Sequence, residues 1–364
     1  MQTVTKDDGA ATGSRPGDET AARLRFEALL ADTAASFVNL PVERIDAAII
    51  DAQKQLCSFL GVDRSVLWQF AGGKSSAVLP SYVHDTADGF LPEFPIDFAD
   101  TFPRVFAQML QGKTFALQAA ADLGPDAERD RDSFAQWGIK SCVMVPLSAE
   151  GTIIGALTFC SLKQERHWPG EFIQRLQLVA HLFATAVSRK QAEERMASLK
   201  QFEMLISEIS AHFSNLPADQ IDAQIEDAQR RVCECLDVDV SALWQWSPDA
   251  PDILTLTHLH SPPEGPVLPS EGLDANTAFP WSLEQMSEGK PMVIHTESLP
   301  PEAARDQATR RHFGVESSTG IPLSVGAGPS LGFISFDALK TGRDWPEPIV
   351  KRLQLIAQVF ALSL

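Results

Sequence analysis

A chain of 364 residues is too long for one ordinary hydrophobic core and predicts two or three domains of about 100–200 residues each. Its formal net charge of −18 would repel phosphate backbones and anionic headgroups, so neither a nucleic-acid partner nor a membrane partner is expected. Five cysteines without a C-x-x-C spacing, and no apolar run long enough to span a bilayer, argue against a disulfide framework and predict a cytoplasmic protein.

The first elements can be predicted in chain order. Residues 1–22 are polar and predict a disordered tail. Between Ile45 and Leu60 apolar residues recur every three or four positions, which predicts a helix with one buried face. The segments 65–70 and 76–83 have strand composition and flank two glycines, so they predict a β-hairpin. The same glycines belong to a "GGKSS" stretch, which resembles the end of a phosphate-binding loop. Such a loop would be followed by a helix, whereas this stretch joins two predicted strands, so a hairpin turn is the better interpretation.

The following elements complete one domain. Two short helices that end in glycine are predicted at 102–113 and 126–138, and the stretch 141–161 predicts a second hairpin with a Glu-Gly turn. A helix then opens near Pro169. Because antiparallel strands alternate here with helices, the sequence predicts an α+β domain with a central antiparallel sheet of about five or six strands and helices on its faces.

The whole order of elements occurs twice. From 26 to 69, 23 of the 44 residues are identical to those from 202 to 245, an offset of 176 that greatly exceeds a solenoid unit of about 20–50 residues. After one inserted residue, "RHWPGEFIQRLQLVA" matches "RDWPEPIVKRLQLIA". The sequence therefore predicts two copies of one domain, at 23–187 and 201–364, joined by a long helix with a linker at 188–200.

These shared words resemble the GAF family of regulatory domains in bacterial sensor kinases and transcription activators. The resemblance rests on "NLP", "LWQ" and "RLQL", which occur in both copies, and it covers the chain from about residue 23. It implies a sensory module that binds an unknown small molecule and, as a homodimer, passes its state through signalling helices to an output domain. The chain stops at Leu364 in the middle of the last predicted helix, which indicates either that an output domain follows in a longer chain or that this domain has been lost, and the first alternative is favoured. The alternative is a GAF-fold enzyme, such as a free-methionine-sulfoxide reductase, or a redox sensor.

The segment that connects the copies has two interpretations. Residues 171–213 contain neither glycine nor proline, and a continuous helix over them would be about 65 Å long. Its apolar residues follow coiled-coil spacing in both halves. Either each stripe covers the sheet of its own domain, or the helix is the stalk of a homodimer, as the resemblance implies. The expected dimer seam consists of Leu199, Phe202, Ile206 and Ile209.

No catalytic site is predicted, because every motif considered is incomplete. His258 and His260 share a strand face, but His295 is the only histidine expected near enough to join them, so no metal is predicted. No cysteine precedes a histidine, as bilin-attaching cysteines of the family usually do, and the family's acidic cyclic-nucleotide motif is missing, so no cofactor is predicted. Redox sensing by Cys142 stays open and would require a depressed thiol pKa.

A small-molecule site in such a domain would be an apolar cavity with few polar groups. Trp281 replaces Arg104 of the first copy, in the segment that covers the pocket of related domains, so we expect it to wall a cavity. Cys57 and Cys233 are interpreted as small apolar residues on a buried helix face. The ligand-pocket candidates are Trp68, Tyr82, Phe106, Cys142, Trp244, His258 and Trp281.

Overall fold

The computed structural model describes residues 16–70, 76–87, 94–214, 216–269, 272–286, 289–326, 328, 330–339 and 342–364. The chain divides into two compact units, one ending at Glu193 and the other beginning at Glu194, inside the linker expected at 188–200. Residues 1–15 of the expected disordered tail lie outside the described residues. The rest of that tail is helical, because the first helix already begins at Pro16.

The first unit is a six-stranded antiparallel sheet with helices on both faces. Its strands are β1 Arg64–Phe70, β2 Ala77–Asp85, β3 Ile96–Asp97, β4 Phe115–Leu117, β5 Ser141–Ala149 and β6 Thr152–Ser161. Its helices are α1 Pro16–Phe37, α2 Ile45–Leu60, α3 Phe98–Thr101, α4 Pro103–Leu110, α5 Glu128–Gln136 and the first half of α6 Gly170–Phe213. The strand order is β3-β2-β1-β6-β5-β4.

The second unit repeats this architecture. Its strands are β7 Val240–Ser247, β8 Ala250–His260, β9 Leu273–Asp274, β10 Met292–His295, β11 Ser317–Leu323 and β12 Gly332–Ala338. Its further helices are α7 Ile221–Leu236, α8 Ala275–Ala278, α9 Pro280–Met286, α10 Ala304–His312 and α11 Glu347–Ser363. The order β9-β8-β7-β12-β11-β10 matches the first sheet strand for strand, which confirms the predicted α+β class.

Both hairpins predicted in the first copy are present. β1 and β2 pair antiparallel, while residues 71–75 between them lie outside the described residues. β5 and β6 are joined at Glu150 and Gly151, which have φ values of 50° and 80°. Two successive residues with positive φ form the turn that matches the right-handed twist of a hairpin, so the Glu-Gly prediction is confirmed.

Each sheet has one face covered by long helices and one covered by short ones. In β1, Leu67 packs in the cluster formed with α1, α2 and α6, whereas its neighbours Val66 and Trp68 point to the cluster formed with α3, α4 and α5. This alternation follows from the two-residue period of a strand. The face under the short helices is where a cavity forms in the second unit.

The helix α6 serves both units with its two halves. In the first unit Phe172 packs edge-on against Phe26 of α1 at 5.2 Å, and in the second Phe213 lies 5.4 Å from Phe360 of α11. The second half of α6 is thus the counterpart of α1, since Phe26 aligns with Phe202. None of the helices in the described ranges combines the length and apolarity that a bilayer crossing requires.

The expected dimer seam is corrected by the structure. Phe202, Ile206 and Ile209 are only 0%, 7% and 2% exposed, because they belong to the hydrophobic core of the second unit. Leu199 is partly buried and packs against the same core. The apolar stripe therefore covers the sheet of its own unit, which is the first of the two interpretations, and Phe202, Ile206 and Ile209 are not available to a second copy.

Candidate functional site

A cavity of about 90 Å³ lies in the second unit, between the sheet and the short helices α8, α9 and α10. Its walls are mainly apolar and include aromatic and methionine side chains, which suit a flat apolar ligand. Most of them are buried or half-buried. The principal wall residues are Trp244, Phe279, Met286, Met292, Phe313 and Phe333.

The equivalent space in the first unit is almost filled. The cavity there measures about 20 Å³ and is lined by Trp68, Phe98 and Phe134 among others. The strand register shows one cause of the smaller cavity. Met144 of β5 pairs with Phe115 of the edge strand β4, and Gly320 of β11 pairs with Met292 of the edge strand β10. Met144 and Gly320 therefore occupy equivalent positions. A methionine side chain fills in one copy what a glycine leaves open in the other.

Two larger clefts on the first unit differ in character from this cavity. They measure about 510 and 450 Å³ and are lined largely by exposed side chains such as Gln111, His181 and Asp32. Ligand sites bury most of the ligand surface between converging side chains. The smaller but better-buried cavity of the second unit is therefore the candidate site.

A polar network enters the cavity at one end. Arg310 of α10 donates from Nη1 to the Ser318 hydroxyl at 2.7 Å, and Ser335 donates to Asp337 at 2.8 Å. All four side chains line the cavity. In the first unit the positions of Arg310, Ser318, Ser335 and Asp337 carry Phe134, Cys142, Thr158 and Cys160, respectively. The strand register agrees with this alignment, since Ser318 pairs with Asp337 as Cys142 pairs with Cys160. An apolar end in one copy has become a charged end in the other.

Burial acts on both charged members of the network in the expected directions. It raises the pKa of the Asp337 carboxyl, an effect that the Arg310 charge and the hydroxyls of Ser335 and Ser318 partly offset. It also lowers the pKa of the Arg310 guanidinium, against the influence of Asp337 and Asp306. Burial thus disfavours the charged form of both side chains, and the nearby opposite charge and hydrogen-bonding groups oppose that effect.

Two polar atoms in the cavity wall have no hydrogen-bond partner within the part of the chain that the structure describes. They are the Nε atom of Arg310 and the hydroxyl of Ser282. Asp306, which is fully buried, accepts from the amides of Trp281 and Ser282 at 3.2 and 2.8 Å. These bonds tie the start of α9 to α10 and hold Ser282 and Arg310 in the same wall. Buried polar groups are normally satisfied, so both atoms indicate room for a polar ligand group.

The sequence-based pocket candidates fall into two groups. Trp244 lines the cavity of the second unit, and Trp68 and Cys142 line the small cavity of the first. Phe106 is buried and packs edge-on against Phe70, outside the lining of either cavity. Trp281 does not line the cavity either; its neighbour Ser282 does, because a helix turns successive side chains in different directions.

Tyr82 and His258 lie on the opposite face of their sheets. The Tyr82 hydroxyl donates to Asp46 of α2 at 2.7 Å, and Nε2 of His258 lies 3.2 Å from Asp222 of α7. These are equivalent positions, and both fasten the strand after the first hairpin turn to the long helix. The expectation that Tyr82 and His258 line a ligand pocket is corrected: they belong to the helix-covered face.

The cysteines and histidines form neither a metal site nor an activated thiol in the described residues. No group of three metal-ligating side chains converges there. The Cys142 thiol has a pKa well above its usual range, because Cys160 hydrogen-bonds it and burial disfavours its thiolate. Burial likewise raises the pKa of Cys57 to about 12. Since reactive cysteines require a depressed pKa, the geometry argues against redox sensing by Cys142.

Sequence reasoning missed Arg310, Ser282 and Asp337. A signal was present, because aligning the two copies places Arg310 opposite Phe134 and Asp337 opposite Cys160. Both changes introduce a charge at a position that is apolar in the first copy, and the two charges have opposite sign. Only the strand register shows that these positions face one cavity.

Comparison with known proteins supports the fold. The GAF domain family matches residues 45–187 and 220–364. No significant match was found among curated proteins. Bacteriophytochrome RpBphP3 from the photosynthetic bacterium R. palustris is 10% identical, with a TM-score of 0.56 over 97% of this chain and 76% of that chain, which shows a shared fold.

Two GAF domains from cyanobacterial phytochromes, one bound to phycocyanobilin and one to phycoerythrobilin, are each 16% identical with TM-scores of 0.39. They cover 46% and 47% of this chain and 96% and 99% of their own.

Proposed function

The chain belongs to the GAF domain family, and we propose that it is a sensory module of a bacterial signal-transduction protein whose second unit binds a small molecule. The observation that carries this proposal is the difference between the two copies. One fold encloses about 90 Å³ in the second unit and about 20 Å³ in the first. A cavity kept open by a glycine and furnished with polar groups is typical of a binding site rather than of a packing defect.

The sheet connects the cavity to the long helices. In β7, Ala242 and Trp244 face the cavity, while Leu243 between them packs in the core formed with α6, α7 and α11. A ligand that favours one arrangement of this sheet would shift the packing of those helices by its differential affinity for the two states. We propose that α6 and α11 pass this shift to an output domain, and that the module acts in the cytoplasm by binding rather than by turnover.

Filling the cavity tests the proposal. Replacing Gly320 by methionine gives the second unit the residue that fills the first, and the new Cβ would lie 3.6 Å from the flexible Met286 side chain, an ordinary contact. The variant is expected to fold. Native mass spectrometry of protein purified from its host should show a small molecule bound to wild type and lost, by at least about tenfold in occupancy, from Gly320→Met.

The control for this experiment is Gly170→Ala at the start of α6 in the first unit, where the new Cβ meets no heavy atom within 4 Å and φ is not positive. It should retain the small molecule. Equal retention by wild type and Gly320→Met would place the bound molecule elsewhere and contradict the proposal, as would the absence of any bound molecule together with the absence of binding in a screen of small ligands.

We also propose that the module is a homodimer through the connecting helix, at a different surface from the seam first expected. Residues 192–198 of α6 are exposed on all sides of the helix, and Met196 is 68% exposed. In the proposed dimer Met196 would pack against the same stretch of helix in a second copy, as apolar side chains do along a coiled-coil seam. Wild type should sediment as a dimer at micromolar concentration, and Met196→Glu should be at least about tenfold weaker in association.

The matched control is Leu362→Glu, which introduces the same charge at a 72% exposed side chain of α11. This variant should sediment as wild type does. A monomeric wild type, or a Met196→Glu variant that dimerises equally well, would remove the dimer from the proposal and leave the ligand site unaffected.

A further inference from the structure

The size of the second-unit cavity limits its ligand. Its volume of about 90 Å³ is of the same order as that of an engineered apolar cavity of about 150 Å³, which holds one benzene ring. A nucleotide or an open-chain tetrapyrrole is several times too large. The ligand that fits is a compact molecule comparable in size to one substituted ring.

The walls decide the shape and polarity of most of that molecule. Trp244 and Phe333 lie nearly parallel, with ring centroids 6.5 Å apart and an interplanar angle of 25°. Phe313, Met286 and Met292 complete an apolar lining. Flat apolar bodies pack favourably against aromatic faces and methionine sulfur. The body of the ligand is therefore apolar, and planar groups suit it well.

The polar end decides the charge of the ligand. Asp337 already accepts a hydrogen bond from Ser335, so its carboxylate is partly satisfied within the protein. Arg310 uses Nη1 for Ser318, whereas its Nε has no partner within the described part of the chain, and the same holds for the Ser282 hydroxyl. The open hydrogen-bonding groups of the cavity wall are thus a guanidinium and a hydroxyl, both of which donate to an oxygen acceptor.

From these observations we infer that the cavity binds a compact carboxylic acid, whose carboxylate is held by Arg310 and Ser282 and whose apolar body lies among Trp244, Phe313 and Phe333. The inference rests on the proposed function and names the ligand class of the same site. Arginine is the residue best suited to a carboxylate, because its planar donors match the two oxygens, and charge-assisted hydrogen bonds are about twice as strong as neutral ones.

The experiment compares acids with neutral molecules of the same shape. Benzoate, cyclohexanecarboxylate and 4-methylpentanoate are titrated by calorimetry into the full chain, each beside its primary amide. At least one acid should bind, and should bind at least about tenfold more tightly than its amide, because the amide has no negative charge and offers the guanidinium one acceptor oxygen instead of two. In Arg310→Gln this preference should disappear, while Gly320→Met should abolish binding of acid and amide alike.

A neighbouring arginine supplies the matched control. Arg311 follows Arg310 on the same helix, but it is 56% exposed and forms a bidentate pair with Glu297 on the surface, with nitrogen–oxygen distances of 2.8 and 2.6 Å. Arg311→Gln removes the same charge from the chain without touching the cavity. It should keep both the affinity and the preference of wild type, and circular dichroism should show that both variants remain folded.

Each outcome decides something different. Equal binding of acids and amides, or a preference that survives in Arg310→Gln, would overturn the inference. Binding of amides alone that is lost in Gly320→Met would also overturn it, yet would leave the proposed ligand site standing. If no acid and no amide binds, the inference fails, and the native mass measurement on Gly320→Met decides separately whether the cavity binds a molecule of another kind.

Discussion

Replacing Gly155 by alanine is expected to lower the free energy of unfolding of the first unit by about 3 kcal/mol or more. Gly155 is buried in β6 and pairs with Gln69 of β1. A Cβ built on it would lie 1.9 Å from the carbonyl oxygen of Trp68, a backbone atom with no freedom to turn away. The side chain therefore has to push apart two strands in the middle of the sheet.

Hydrogen exchange measured by mass spectrometry resolves this effect along the chain. Protection should fall most in β1 and β6. Gly170→Ala is the matched control, since a Cβ at Gly170 meets no heavy atom within 4 Å and its φ is not positive. If Gly155→Ala retains the protection of Gly170→Ala, the strands tolerate the added methyl group and the expected clash is wrong.

The same constraint appears in both copies, and the sequence already shows it. Gly332 is the counterpart of Gly155, and its Cβ would lie 1.9 Å from the carbonyl oxygen of Trp244. Such local rules explain why the fold could be predicted. The apolar period from Ile45 to Leu60 specifies a helix, the Glu-Gly pair specifies a hairpin turn, and two copies with one order of elements specify two similar domains.

The surface that the apolar stripe of α6 contacts could not be predicted in the same way. A spacing of three and four residues places Phe202, Ile206 and Ile209 on one side of a helix, whether that side faces a second helix or the sheet of the same unit. The choice depends on what lies opposite, which is a property of the folded chain. In the structure the opposite surface is the core formed with α7 and α11.

The candidate site could be predicted only in part, for a related reason. Trp244 was found because aromatic residues at the end of a buried strand are conspicuous in a sequence. Gly320 was missed, because a cavity results from atoms that are absent. The space is recognised only when the strand register shows that Gly320 and Met144 occupy equivalent positions in the two units. Arg310 likewise acquires its meaning from Ser318 and Asp337, which are close in space and distant in sequence.

Replacing Phe202 by alanine is expected to destabilise the second unit by about 3–5 kcal/mol, because the ring is fully buried and its loss leaves a cavity in the core. Its neighbour Glu203 forms an ion pair with Arg352 of α11, so this half of α6 packs on its own unit. A close-packed core fills such a space only in part. Protection from hydrogen exchange should fall in α7, α11 and β12.

The matched control for Phe202→Ala is Met204→Ala, two residues along the same helix, where the side chain is 57% exposed. Its effect on stability should stay within about 0.5 kcal/mol, since surface positions contribute little. The two interpretations of the stripe differ in what the Phe202 variant does to association. If Phe202 lies in the core of its own unit, Phe202→Ala lowers the stability of that unit. Its sedimentation at a fixed protein concentration should then differ from wild type no more than that of Met204→Ala. If Phe202→Ala instead dissociated the protein into folded monomers with unchanged protection, the ring would lie between two copies, and the assignment of this stripe to the second unit's own core would be wrong.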